Sequence, residues 1–281
     1  MPHEVSFVDN SSQLAHYAML ETIRDFAGDN GWEVLRYDTA PADRELILKG
    51  FGYSEEEEIF VGFRTYQNAG ADYYNLVAAA FTGYLPGNPF NAQPGAMLSG
   101  VPAHNQRIDY WLTLNPQRIA LAMKVGTPVY ESAYVGKFLP YARPSQYPYP
   151  VICAGMLNGT PATRFSDTVH SIPYKGSRPQ MRMRFNDGSW AQPECWPYNN
   201  TLLNGSIASQ TQQRDTNGSY PSNPIVLNSA IGVLGELDGI RHITGFNNAV
   251  ENTFELDGKD WVVIQDVSRN GFSDYYSMRL D

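Results

Sequence analysis

Apolar residues near the start of the chain recur at helical spacing: Leu14, Tyr17, Ala18, Ile23 and Phe26. Asn10, Ser11 and Ser12 stand ahead of them with side-chain oxygens suited to an N-cap, and Gly28, Asn30 and Gly31 supply a left-handed stop. A helix over about 11–28 is therefore predicted. The pattern then changes to alternating or short apolar runs at 32–37, 45–49, 59–65, 73–84, 109–114, 118–125 and 129–138, each of strand length. Asn115-Pro116-Gln117 separates two of these runs as a hairpin connection. One helix packed on an antiparallel or mixed sheet is expected for residues 1–140.

After Pro140 the periodicity breaks up. Pro144, Pro148 and Pro150 follow in quick succession, and Asn, Gly, Ser, Pro and Gln dominate to about residue 230. Short strands such as 180–185, closed by Asn186-Asp187-Gly188, interrupt these loops. Regularity returns near the end, where runs at 253–256 and 261–264 flank Asp257-Gly258, a strong hairpin signal. A last strand over 275–280 follows the turn residues Arg269-Asn270-Gly271. The fold class is α+β and strand-dominated. It divides into a helix-plus-sheet unit at 1–140 and a loop-rich β region at 141–281 that ends in a C-terminal hairpin.

Composition narrows the function. Of 281 residues 42% are hydrophobic, enough for a core, but only 17% are charged, below the ~25% usual for a soluble domain. The net charge of −9 offers no phosphate-neutralising footprint, so direct nucleic-acid binding is not expected. Eighteen Tyr, thirteen Phe and five Trp on a weakly charged chain suit a subunit that buries surface against neighbours. No apolar run reaches the ~18–20 residues of a membrane helix, and MPHEVSFVDN lacks the charged-then-apolar layout of a signal peptide. Folding in the cytoplasm and no membrane insertion are expected. Cys153 and Cys195 sit in dissimilar contexts and read as one buried and one incidental thiol rather than a disulfide framework.

Chemistry-bearing motifs are sparse. The five histidines show no metal-ligand spacing, no glycine-rich phosphate loop opens a helix, and no GxSxG elbow is present. Neither a metal nor a cofactor is expected. Glu55 to Glu58 read as a solvated or salt-bridging loop, and Asp167/His170 and Asp238/His242 as chance proximity. Tyr141, Tyr147, Tyr149, Trp190, Trp196 and Tyr198 cluster in the loop-rich middle. Tyr147, Tyr149, Trp190 and Trp196 are taken as interface anchors, since aromatics bury large area with few rotors lost. The same residues beside Asn and Gln would also suit a receptor- or glycan-binding module. An envelope-degrading glycosidase is the remaining alternative, and it needs two carboxylates ~5–10 Å apart.

Two stretches are familiar as wholes: RIALAMKVGTPVYESAYVGKFLPYARPSQYPYPVICAGML at 118–157, and 235–281 from GELDGIRHITGF to ENTFELDGKDWVVIQDVSRNGFSDYYSMRLD. Both resemble virion structural proteins of tailed bacteriophages. The opening helix leading into GWEVLRYD is similar in layout to small tail-completion or terminator domains. The resemblance covers about half of the chain and carries no catalytic or ligand residues. It implies a non-enzymatic part of the tail, at its baseplate or neck or in tail completion. Such a subunit is made in the host cytoplasm and assembles with copies of itself in a ring and with other tail proteins.

Overall fold

The computed structural model describes residues 1–126, 129–141, 150–157, 162–166, 172–175, 181–185, 187–198, 222–245, 248–265 and 275–281. Strand β1 (His3–Val8) is followed by the helix α1 (Ala15–Asp29) and a five-strand meander, β2 (Glu33–Asp38), β3 (Glu45–Gly50), β4 (Ile59–Asn68), β5 (Tyr73–Phe81) and β6 (Met97–Val101). Next come β7 (Ile108–Asn115), β8 (Arg118–Lys124), β9 (Tyr130–Lys137), β10 (Leu139–Pro140), β11 (Val151–Ala154), β12 (Met181–Arg184) and β13 (Trp190–Ala191). The chain finishes with β14 (Glu194–Trp196), β15 (Ser222–Ser229), β16 (Gly232–Ile243), β17 (Thr253–Leu256), β18 (Lys259–Gln265) and β19 (Tyr275–Arg279).

These strands form three sheets, and every pairing among the described residues is antiparallel. The first runs β1-β7-β8-β9-β11-β12-β13, the second β2 to β6 in sequence, and the third β14-β15-β16-β19-β18-β17. Strand β16 is long enough to offer its second edge to two partners, β10 at Gly235–Glu236 and β19 at Ile240–His242. The chain is thus a strand-rich α+β protein. The first sheet crosses residue 140, because Tyr134–Lys137 pairs with Val151–Ala154. The units expected at 1–140 and 141–281 therefore share a sheet.

The first sheet is apolar on both faces, which the period-two side-chain alternation makes possible. Leu112, Ile119, Leu121 and Val135 join one core with Leu46, Val61, Phe63 and Leu76 of the second sheet and with Met19, Leu20, Ile23 and Ala27 of α1. Ala120, Ala122, Tyr130 and Tyr134 point the other way. They share a second core with Ile225, Leu227, Ile240, Val262, Ile264 and Tyr276 of the third sheet. The second apolar face of the 109–125 hairpin is covered by the chain's own third sheet.

Local chemistry explains several boundaries. Helix α1 begins at Ala15 with no side-chain cap from its own flank. Instead the Ala15 N–H donates to Asn105 Oδ1 at 3.0 Å, and Asn10 Nδ2 donates to the Asn105 carbonyl at 2.9 Å. At the other end Gly31 takes φ +90° and the Trp32 N–H donates to Ala27 O at 3.0 Å, the six-to-one bond of a left-handed helix stop. Asp257 and Gly258 both take positive φ, 54° and 69°, as a two-residue hairpin turn matched to strand twist demands.

Candidate interaction surface

The expected anchors have varied placements. Trp190 lies in β13, the end strand of the first sheet. Its indole Nε1 donates to Gly95 O at 3.0 Å and its ring packs against the first core. It ties the chain to itself. Trp196 is half-buried in β14, the end strand of the third sheet. Tyr147 and Tyr149 lie outside the described residues, as do Asp167 and His170. Asp238 and His242 are not brought together: they are four residues apart along β16, and His242 packs its ring on Tyr198 at 4.9 Å. Of the four glutamates, Glu57 pairs with Lys137, and Glu58 pairs with Lys49 at 2.8 Å.

An apolar shelf forms where the first sheet overhangs the third. The β1–β7 register sets Val5 opposite Trp111 and Phe7 opposite Asp109, so Val5, Phe7 and Trp111 share the face that looks toward the third sheet. Coverage stops at Trp111. Val5 is 51% and Phe7 46% exposed, whereas Trp111 is buried. Together with Arg107, Asp109, Lys124 and Glu251 they line a recess of about 400 Å³. Its charges are already matched: Arg107 pairs with Asp109 at 2.8 Å and lies 3.8 Å over the Phe7 ring, and Lys124 pairs with Glu251 at 2.6 Å. Burial works against the Glu251 carboxylate, yet hydrogen bonds from Lys124 and Tyr130 hold its pKa below the usual range. The shelf is a hydrophobic floor inside a neutralised rim.

A second apolar feature is the β15–β16 hairpin tip. Ile231 is 67% and Val233 46% exposed, and Tyr141 beside them is 58% exposed. The Tyr141 N–H donates to Leu234 O at 3.1 Å, which holds the residue after β10 against the hairpin. No charged residue falls between Ser229 and Gly235.

A third feature is a cleft of about 590 Å³ lined by Asn30, Gly31, Phe51, Gly52, Tyr53, Glu55 and Pro116. Tyr53 is 60% exposed in it. Behind it lies a buried polar network. Asp238 Oδ2 accepts from Asn115 Nδ2 at 2.6 Å and Gln117 Nε2 at 3.1 Å, and its Oδ1 stands 3.9 Å from Arg279 Nη2. Arg118, wholly buried, donates to Thr113 Oγ1 at 2.6 Å and the Thr113 carbonyl at 3.1 Å. Burial pulls its guanidinium pKa down and the Asp238 charge opposes that. Gly239, at φ +72°, lets the guanidinium approach, since a Cβ there would lie 2.2 Å from Arg118 Nη2. This network clamps the Asn115–Arg118 turn of the first sheet onto β16 and β19 of the third.

No family model matches the chain, and no curated protein matches it either. Among the described residues no group of three or more His, Cys, Asp and Glu side chains could hold a metal ion. No helix among them is long and apolar enough to cross a membrane. Sequence reasoning passed over the shelf, though the alternation of Val5 and Phe7 with Glu4 and Ser6 was its available signal.

Proposed function

We propose that the protein is a non-enzymatic structural subunit of a bacteriophage tail, at the baseplate or neck or in tail completion, and that it acts by assembling with copies of itself and with other tail proteins. The observation that supports this reading is the pair of exposed, charge-neutral apolar features, the Val5/Phe7 shelf and the Ile231/Val233 tip. Exposed apolar groups concentrated in this way suit protein contacts. The resemblance of residues 118–157 and 235–281 to tail proteins supplies the particle. An antibody raised against the purified chain should label the tails of negatively stained virions at a fixed position. Labelling of infected-cell debris alone, with bare particles, overturns the reading.

A receptor- or glycan-binding role has one specific observation in its favour: Tyr53 exposes its ring in a cleft beside Asn30 and Glu55. Binding of purified protein to host polysaccharide that disappears in Tyr53→Ala would favour it over pure assembly.

A further inference from the structure

We infer that the β15–β16 hairpin tip of one copy seats in the β1 shelf of the next, so that copies join head to tail. The inference rests on the reading that the protein works by assembly, and it names both surfaces of the contact.

Three observations carry it. The tip and the shelf lie at opposite ends of the central strands. The shelf is built at the Asp109, Lys124 and Tyr130 end of β7, β8 and β9, while the tip stands beside β10, which follows the Lys137 end of β9. The seven residues of β8 alone separate those ends by roughly 20 Å. A single chain cannot bring the two together, whereas two copies can.

The second observation is chemical match. The tip is an uncharged knob, Ser229-Ala230-Ile231-Gly232-Val233-Leu234-Gly235. The shelf has an apolar floor, and its four charges are already joined in two ion pairs. An apolar knob entering it strands no buried charge, which a charged occupant would do. The third observation is the strand edge. β1 is the terminal strand of its sheet, so among the described residues no strand pairs with its outer edge. An unpaired edge beside exposed Val5 and Phe7 is a place where a second chain can dock.

Because the two surfaces differ, the contact is heterologous: each copy uses its tip on one neighbour and its shelf on the other, giving a ring or a filament. The test places one thiol on each surface of the full chain, Phe7→Cys and Ile231→Cys. Both native thiols, Cys153 and Cys195, are buried and free, so they do not compete. Both substituted positions are exposed, and each variant is first checked for a wild-type melting curve. With a short bis-maleimide cross-linker, the double variant should give a ladder of covalent dimers, trimers and higher species. An equimolar mixture of the two single variants should stop at dimers. Ile231→Asp, without added thiols, should weaken self-association at least tenfold by sedimentation. Absence of the ladder overturns the inference, and so do dimers from Ile231→Cys alone, which mean tip-to-tip contact. Antibody labelling is independent of this result. A ladder with unlabelled tails leaves the contact standing and removes the tail, and labelled tails without a ladder do the reverse.

Discussion

His16 and His242 are the residues whose chemistry most constrains the conditions under which the fold survives. Burial drives the His16 pKa down to about 3, with the Arg44 charge adding to it, and drives that of His242 down to about 4. The His16 ring packs against Tyr17 and Tyr74 at 4.5 and 5.6 Å, and among the described residues neither of its nitrogens meets a hydrogen-bond partner. Unfolded, each imidazole titrates near ~6.5. Between those values the unfolded chain binds the extra protons, so stability rises with pH there. The contribution is complete above about pH 6.5 and is lost progressively as pH falls from there to about 4 for His242 and about 3 for His16, on the order of 3–5 kcal/mol per imidazole. Thermal melts should show Tm dropping across that window, and His16→Phe combined with His242→Phe should flatten the drop. Parallel curves for variant and wild type would refute the assignment. Asp238 makes a related case without titration. Asp238→Ala leaves Asn115, Gln117 and two guanidinium groups facing no carboxylate, and should cost ~3–5 kcal/mol by chemical denaturation. The cysteines differ from their sequence reading, since both are buried rather than one. Burial pushes the Cys153 thiol up to about 12 and raises that of Cys195 as well. Native protein should therefore react with no thiol reagent in minutes, and denatured protein with two equivalents.

Elements whose signal is local were legible. Helix α1, the strands from β2 to β5 and from β7 to β9, and the β17–β18 hairpin all follow from side-chain period and turn residues. Those fixed by a distant partner were not. β16 reads GVLGELDGIRHI, broken by glycines and charges, and is held as a strand by pairing with β15, β10 and β19. β1 was not predicted, because its alternation spans only six residues and its partner β7 lies a hundred residues on. The shelf was hidden with it, and the hairpin tip was hidden with β16. The start of α1 shows the same limit. The cap comes from Asn105, ninety residues away in sequence, while the oxygens of Asn10, Ser11 and Ser12 precede the helix without capping it. Asn105→Ala should cost ~1 kcal/mol of stability, the usual worth of a capping oxygen. Ser11→Ala and Ser12→Ala should cost a few tenths at most. Equal effects from all three would place the cap on the helix's own flank.

Among the described residues three antiparallel sheets enclose two large apolar cores, and the first sheet belongs to both. That arrangement decides what a fragment can do. Residues 1–140 hold α1, the second sheet and four strands of the first, so the core around Leu112 and Phe63 is largely present in them. The other face of those four strands is a different matter. Trp111, Ala120, Ala122, Tyr130 and Tyr134 are covered by Ile225, Leu227, Ile240, Val262, Ile264 and Tyr276, all beyond residue 140. Cutting there also strips β11 from β9, opening a hydrogen-bonding edge beside the bared aromatics. An exposed apolar face joined to an unpaired edge is the setting in which chains aggregate. The 1–140 fragment made alone should therefore bind a hydrophobic dye strongly and sediment as large species. Refolding it together with 141–281 should restore a soluble particle of the mass of the intact chain. A 1–140 fragment that melts cooperatively by itself as a monomer would mean that the central sheet's second face is dispensable, and that the third sheet is an appendage rather than half of the fold.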